Sequence, residues 1–186
     1  MKVIAGVYKS RNLKTLKGDS TRPTTSKNKE NLFNIIGPYF QGGVALDLFA
    51  GSGSLGIEAI SRGVNEAYFV DHSFQAFNVI QENLASLKIK NANVFKMDAF
   101  QALKKFRENE LTFDLVFLDP PYSTGISKKA LNMLLDFHLL SKNAIVITEE
   151  EKSVNIEPIS ATLLLKKRVV YGKTILYIYE YQGECS

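Results

Sequence analysis

Cysteine and histidine are scarce in this sequence of 186 residues, which has one cysteine and two histidines. The cysteine, Cys185, is next to the last residue and has no second cysteine with which to form an intrachain disulfide. One cysteine and two histidines also leave too few ligands for the usual zinc sites. We therefore expect neither redox chemistry at a cysteine pair nor a bound metal.

Long apolar runs are missing as well. No apolar stretch approaches the roughly 20 residues that a membrane-spanning helix needs, and the apolar part of the N-terminal MKVIAGVYKSR is too short for a secretory signal. We expect a cytoplasmic protein that does not contact membranes. The hydrophobic content of 45% and the charged content of 23% are those of ordinary globular proteins, and 186 residues suit one domain.

Positive charge is concentrated near the N-terminus. Residues 1–29 contain eight basic residues against one acid, Asp19, so that their net charge is +7, whereas residues 30–186 sum to −3. The basic residues are Lys2, Lys9, Arg11, Lys14, Lys17, Arg22, Lys27 and Lys29. A local basic patch favours a polyanionic partner such as a nucleic acid, since phosphate neutralisation supplies most of the sequence-independent affinity. A solvated, partly disordered basic arm is the alternative.

The rest of the sequence alternates between short apolar strands and amphipathic helices, the pattern of an α/β fold with a parallel sheet covered on both faces. After Glu151 two apolar strands flank Gly172 with no helix between them, which predicts an antiparallel hairpin at the sheet edge. The sequence predicts strands over 44–49, 66–71, 92–98, 113–119 and 143–150, and helices over 54–62, 73–88, 98–109 and 128–140.

One internal boundary is indicated, near residues 37–43, where glycines cluster before the first strand. It divides the chain into a basic N-terminal region, 1–40, and a sheet domain, 41–186. Its basic charge leads us to expect that the N-terminal region contacts a polyanion.

The first strand leads directly into a glycine turn and a helix. Gly51, Gly53 and Gly56 form the pattern G-x-G-x-x-G, in which the first glycine permits a tight turn, the second lets a ligand approach the backbone and the third lets the helix pack closely on a strand. Asp71 ends the second strand, where a carboxylate can bridge the two hydroxyls of a ribose. The sequence therefore predicts a pocket for a nucleotide-type ligand.

Two ligands suit this pocket, a nicotinamide dinucleotide (NAD) or S-adenosylmethionine (SAM). Asp98 at the end of the third strand favours SAM, because its carboxylate can bind an adenine amine while the Ala99 N–H faces a ring nitrogen. Asp98 acting only as a helix N-cap is the alternative. Asp47 and Phe49, which lead into the glycine turn, complete the cofactor-binding candidates.

The fourth predicted strand ends in FLDPPY, residues 117–122. Prolines do not continue a strand, since proline lacks the N–H that a sheet requires and fixes its own φ. In a doubly wound sheet the ligand crevice lies beyond the carboxyl ends of the strands, so this stretch lies beside the glycine turn. Asp119 and the Pro120 carbonyl can accept the two hydrogens of an exocyclic base amine, and Tyr122 can stack on the exposed base. These three are the catalytic candidates.

With the N-terminal IAGVYKSRNLKTLKGDSTRPTTSKNKENLFNII, these motifs resemble the RsmD family, bacterial methyltransferases that use SAM to methylate the N2 amine of a guanine in 16S ribosomal RNA. The resemblance covers nearly the whole chain. It implies a Rossmann-like methyltransferase sheet with a small N-terminal β-hairpin arm and a helix packed over the SAM pocket. It places Arg22, Pro23 and Thr24 near the cofactor. The residues that it places on the RNA side are Lys9, Arg11, Lys14 and Lys17.

Two positions depart from the family pattern. Ser26 and Lys27 stand where the family usually has Asp-Arg, and Asp71 stands where it usually has Glu. Lys27 keeps a positive charge for RNA but lacks the bidentate fork of arginine.

The substrate that the resemblance implies is 16S rRNA within the small ribosomal subunit, modified by a monomeric enzyme. The chain length also favours RNA, since a sheet and a short arm leave no room for the target-recognition region of a sequence-specific DNA methyltransferase. Three alternatives stay open: an amino-methyltransferase of another RNA or DNA base, an NAD-dependent oxidoreductase, and an RNA-binding module without catalysis. Asp119 and Tyr122, both intact, argue against the last.

Overall fold

A computed structural model describes residues 1–16, 26–121, 125–153 and 160–183. A seven-stranded sheet with the order β3-β2-β1-β4-β5-β7-β6 forms its centre. The strands are β1 (Val44–Asp47), β2 (Glu66–Asp71), β3 (Ala92–Lys96), β4 (Phe113–Leu118), β5 (Leu140–Glu151), β6 (Leu163–Tyr171) and β7 (Thr174–Tyr181). The helices are α1 (Ser26–Ile36), α2 (Ser54–Ser61), α3 (Phe74–Leu87), α4 (Ala99–Glu108) and α5 (Ile126–Asp136).

Strands β1 to β5 pair in parallel, and β7 runs antiparallel to both β5 and β6. The predicted fold class, a mostly parallel α/β sheet with a C-terminal antiparallel hairpin, is confirmed. No helix in these described ranges has the length and apolar character to cross a membrane.

The end of α5 differs from the prediction. The sequence predicts a helix to residue 140, but α5 ends at Asp136 and β5 already begins at Leu140. His138 adopts a positive φ of 53°, and its N–H bonds the carbonyl of Leu135, which closes the helix. A left-handed residue at a helix end reverses the chain without any glycine in the sequence to mark it.

The helices cover both faces of the sheet. One buried cluster lies between the sheet and helices α4 and α5, and includes an aromatic group of Tyr68, Phe95, Phe106 and Phe113. The other lies beneath α1, α2 and α3. Strands buried on both faces explain the continuous apolar runs from which the parallel sheet was predicted.

The N-terminal segment forms the expected hairpin. Lys2 and Asn12 form an antiparallel bridge, and the Val3 N–H donates to the carbonyl of Arg11. Val3 and Leu13 are buried in the same cluster as α1, α2 and α3. Residues 1–16 are therefore packed on the sheet domain and are not a solvated arm, while the division of the chain at residue 40 stays a prediction.

A buried charge group fixes this hairpin to α2. The Glu58 carboxylate accepts the N–H groups of Ile4 and Ala5 at 2.9 and 3.0 Å. It also pairs with Lys29 Nζ at 3.0 Å and with Arg62 Nε at 2.7 Å. Hairpin, α1 and α2 are thereby joined through one fully buried carboxylate.

Candidate active site

Five acidic residues lie along the carboxyl-end edge of the sheet, which we call the catalytic edge. Asp47 and Asp71 end β1 and β2, Asp98 and Asp119 follow the ends of β3 and β4, and Glu149 lies two residues before the end of β5. Parallel strands place their carboxyl ends at one edge, which is where ligands of open α/β sheets bind. Four of these acids were predicted. Glu149 was missed; it lies within β5, and the pairing of Leu118 with Thr148 places it level with Asp119.

The glycine turn has the geometry that its sequence predicts. Gly51 and Gly53 have φ values of 54° and 76°, in the left-handed region that favours glycine. A Cβ on Gly56 would lie 2.4 Å from the Phe69 ring, so the third glycine is required for close packing of α2 on β2. A Cβ on Gly51 would meet no atom of the described residues within 4 Å. The backbone at Gly51 thus borders open space in which a ligand fits.

Asp71 supports the turn from the end of β2. One of its oxygens accepts the Gly51 N–H at 2.9 Å and the other accepts the Ser73 N–H at 2.8 Å. A carboxylate oxygen has a second lone-pair direction, so both oxygens can still accept a hydroxyl group. The arrangement suits the predicted contact with two ribose hydroxyls.

Asp47 is buried beneath the turn. Its Oδ2 accepts the Gly56 N–H at 3.1 Å, which ties β1 to the first turn of α2. Burial raises the pKa of Asp47 to about 7, against the lowering effect of the Gly56 N–H, and the charge of Asp71 raises it further. Phe49, two residues on, is half-buried against the core under α4 and α5.

Asp98 is an N-cap, as the alternative interpretation proposed. Its Oδ1 accepts the N–H groups of Phe100 and Gln101 at 2.9 and 3.1 Å, at the start of α4. Both bonds use the same oxygen, so the cap leaves Oδ2 for an adenine amine. Ala99 is the first residue of α4, where backbone N–H groups lack intrahelical acceptors.

Asp119 directly follows β4 and lies in a cleft. The cleft has about 280 Å³ of space, partly open to solvent, and its lining includes Leu32, Leu55 and Glu149. Asp119 is exposed to solvent, although many protein atoms lie around its carboxylate. Desolvation by these atoms raises the pKa of Asp119 to about 8, and the charges of Glu149, Asp47 and Glu150 contribute. Pro120 beside it is buried.

The character of this edge distinguishes between the two cofactors. The clustered carboxylates repel a pyrophosphate, so they disfavour a dinucleotide, and they attract the sulfonium and ammonium groups of SAM. The open space at Gly51 leaves room for a ligand against the backbone. The residues present therefore fit SAM. Within the described ranges, no group of three or more His, Cys, Asp or Glu is arranged to hold a metal ion.

The predicted RNA-facing residues do not all lie near the catalytic edge. Lys14 lies near the glycine turn, since the Asn83 amide bonds both the Lys14 and Ser52 carbonyls, and its ammonium pairs with Glu82 at 2.9 Å. Lys9 lies at the tip of the N-terminal hairpin. The N–H of its neighbour Tyr8 donates to Ser61 Oγ, at the far end of α2. Because α2 runs away from the catalytic edge, Lys9 is roughly 12 Å or more from that edge.

Arg11 belongs to the same hairpin as Lys9, and Lys27 is exposed in the first turn of α1. Several predicted site residues lie outside the described residues, and these are Lys17, Arg22, Pro23, Thr24 and Tyr122.

Comparison with known proteins gives matches over almost the entire chain. Residues 1–180 match the family described as conserved hypothetical protein 95. The ribosomal RNA small subunit methyltransferase D of Haemophilus influenzae is 37% identical, over 90% of this chain and 88% of the relative. The protein of the same name in Escherichia coli is 32% identical, over 99% of this chain and 92% of the relative.

Solved structures agree with these sequence matches. The Escherichia coli protein yhhF superposes with a TM-score of 0.87 at 30% identity, covering 99% of each chain. The Thermus thermophilus 16S rRNA N2 G1207 methyltransferase RsmC, solved with AdoMet and guanosine, shares the fold, with a TM-score of 0.70 at 19% identity over 90% of this chain and 45% of that one. With sequence matches that span nearly its whole length, the chain belongs to the RsmD family, which its motifs resemble.

Proposed function

We propose that this protein transfers the methyl group of SAM to the exocyclic N2 amine of a guanine in 16S rRNA, as a monomer in the cytoplasm acting on the small ribosomal subunit. The observation that carries the proposal is the row of carboxylates at the ends of five parallel strands, beside an open glycine turn. The family of ribosomal RNA small subunit methyltransferases D supplies the substrate class.

We assign the cofactor contacts by position along the catalytic edge. Asp71 binds the ribose hydroxyls, and Asp98 with the Ala99 N–H binds the adenine. Asp47, Phe49, Gly51 and Gly53 line the remainder of the pocket, while Arg22 and Thr24 cover it, as the family resemblance implies. When bound, SAM supplies an electrophilic methyl group on a positively charged sulfur.

Asp119 and the Pro120 carbonyl hold the reacting amine. The lone pair of an exocyclic guanine amine is delocalised into the ring, so the enzyme must orient the amine for attack. Two acceptors that form hydrogen bonds with both N–H groups leave the lone pair facing the methyl group. Tyr122 stacks on the guanine once it is turned out of its RNA stack.

The charge state of Asp119 is part of this role. Its pKa of about 8 means that a large fraction is protonated at pH 7 in the protein without ligands. A positively charged cofactor nearby favours the carboxylate and lowers this pKa. Cofactor binding thereby prepares Asp119 to accept a hydrogen bond from the amine.

The basic N-terminal residues Lys9, Arg11, Lys14, Lys17 and Lys27 contact the phosphates of the RNA in this proposal. Lys14 is the described member that lies beside the glycine turn, so its phosphate contact is the one nearest the reaction. Lys9 and Arg11, at the hairpin tip, bind RNA farther from the target base.

The direct test uses small ribosomal subunits from cells that lack the native modification. The protein is incubated with these subunits and SAM labelled in the methyl group, and the labelled nucleotide is then mapped. We expect label on the N2 amine of one guanine of 16S rRNA. Label on another base would show a different amino-methyltransferase, and NAD binding without SAM binding would overturn the proposal.

A further inference from the structure

We propose that the outer strand β6 and the β6–β7 turn form a second RNA-contacting surface, which binds the phosphate backbone of the substrate beside the catalytic edge. Four exposed basic side chains make this surface, and they are Lys152, Lys167, Arg168 and Lys173. The inference rests on the proposed function, because it concerns how the same RNA substrate is held.

Charge is the first observation. Residues 160–183 have four basic residues against one acid, Glu180, for a net charge of +3, whereas residues 30–159 sum to −5. Lys166 is neutralised by Glu180 at 3.0 Å. Within the described part of the chain, no acid pairs with Lys167, Arg168 or Lys173. An exposed basic strip on an acidic body suits a polyanion.

Position is the second observation. In the antiparallel pairing of β5 with β7, Glu149 lies opposite Leu176 and Glu151 opposite Thr174. The β6–β7 turn at Gly172 therefore lies at the catalytic edge. The Lys152 N–H donates to the Lys173 carbonyl at 3.0 Å, which brings these two lysines to the same turn. Three strand spacings, roughly 15 Å, separate β6 from β4 and Asp119.

The side chains also face both sides of the strand. Lys167 lies opposite Ile178, and Arg168 opposite Tyr177, on successive positions that point to opposite faces. The Arg168 guanidinium is 5.9 Å from the centre of the Tyr177 ring. From Lys167 to the turn, the strand extends roughly 15 Å. Several phosphates of an RNA strand can follow such a line while the target base reaches Asp119.

A competing explanation is protection of the sheet edge. Charged side chains and bulges on an outer strand prevent pairing with other chains, and β6 has a register shift between Leu165 and Lys167, near the exposed Leu164. The two explanations differ in their consequences. Phosphate contacts change the salt dependence of RNA binding when they are removed, whereas edge protection changes self-association.

The test compares two triple variants with equal charge loss. The variant of the β6–β7 surface, which we call the hairpin variant, is K152Q, K167Q and K173Q. The control variant is K90Q, K104Q and K142Q, at exposed lysines away from this surface. For each protein, affinity for undermethylated small subunits is measured over a range of salt concentrations, together with SAM affinity and light scattering.

We expect the hairpin variant to lower the slope of log affinity against log salt by about 2, at roughly 0.7 to 0.9 per lost phosphate contact. The control variant should keep the wild-type slope, and both should bind SAM normally. An unchanged slope in the hairpin variant, with or without self-association, would overturn the inference while wild-type methylation left the proposed function intact. If the wild type failed to methylate subunits, the proposed function would fail. The salt-dependence slopes would still decide whether the β6–β7 surface binds RNA.

Discussion

Two regions of this protein contain recessed carboxylates, and the protein treats them in opposite ways. Beneath the N-terminal hairpin, burial alone raises the pKa of Glu58, but Lys29, the Ile4 N–H and Arg62 outweigh it and hold that pKa below its usual value. At the catalytic edge, Asp47 receives one backbone N–H, and burial raises its pKa to about 7. Among the described residues, basic side chains compensate the charge of Glu58, and none compensates that of Asp47.

We propose that this difference separates a structural site from a ligand site. Among the described residues, neither Asp47 nor Asp119 forms an ion pair with a basic side chain. Their raised pKa values record an unfavourable negative charge. A positively charged ligand relieves it, as Lys29 and Arg62 do for Glu58. Uncompensated charge of this kind is typical of functional sites.

The largest effect is expected at Asp119. In the proposed mechanism its hydrogen bond to the amine acts in the transition state, so Asp119→Ala should lower kcat by roughly two to four orders of magnitude, with much smaller changes in SAM and RNA affinity. Asp119→Asn should retain more activity, because its amide oxygen still accepts one hydrogen bond. Single-turnover rates on undermethylated subunits measure both. Near-normal chemistry in Asp119→Ala would show that the residue merely ends a strand.

A substitution at Glu58 tests the structural role of the buried carboxylate beneath the N-terminal hairpin. Glu58→Gln leaves Lys29 buried with only the Lys2 carbonyl and a neutral amide as partners, and should cost about 3–5 kcal/mol of unfolding free energy. Urea denaturation measures it. The matched control is Glu30→Gln, an exposed acid on the same helix as Lys29, for which we expect a change below roughly 0.5 kcal/mol. Equal effects in the two variants would remove the distinction between the regions.

Asp47 should respond in the opposite direction. Its pKa is higher in the folded protein than in the unfolded chain, so its charge costs stability increasingly as pH rises from about 4 to about 7. Asp47→Asn should therefore stabilise the ligand-free protein by up to a few kcal/mol at pH 8, at about 1.4 kcal/mol per pKa unit, and by little at pH 4. Melting temperatures across this range test the sign. The same variant should bind SAM more weakly, and a variant less stable at pH 8 would contradict the account.

A substitution at Gly51 tests whether the open space beside the glycine turn holds the cofactor. Gly51→Val puts a branched side chain into space that no atom of the described residues occupies, so SAM affinity should fall roughly tenfold or more. The control is Gly125→Val, since Gly125 also has a positive φ and an open Cβ direction but lies at the start of α5. Both substitutions carry a backbone strain of about 1–2 kcal/mol. Calorimetric titration should show weakened SAM binding in the first variant alone.

The catalytic edge was largely predictable because its residues follow local rules. An acid lies at or within two residues of the carboxyl end of each strand from β1 to β5, and the glycine spacing fixes the turn, so neighbours in sequence define the site. Glu149 follows the same rule, so it could have been predicted from the sequence as well.

Tertiary contacts were not predictable in this way. Lys29 counts toward the basic N-terminal charge in the sequence, yet the fold buries it against Glu58. The sequence likewise gives no sign that Lys9 lies at the far end of α2 or that His138 closes α5 with a positive φ. These features depend on residues distant in the chain or on backbone geometry without a glycine signature.

We propose that the carboxylates of the catalytic edge favour a positively charged cofactor, and paired calorimetric titrations test this preference. SAM and its demethylated product differ in the sulfonium charge, so each is titrated into the wild-type protein at several pH values from 6 to 9. Because Asp47 and Asp119 lose protons near pH 7 and 8, SAM affinity should rise more steeply with pH than product affinity, and NAD should not bind. Equal pH dependence for SAM and its product, or binding of NAD without SAM, would contradict the account.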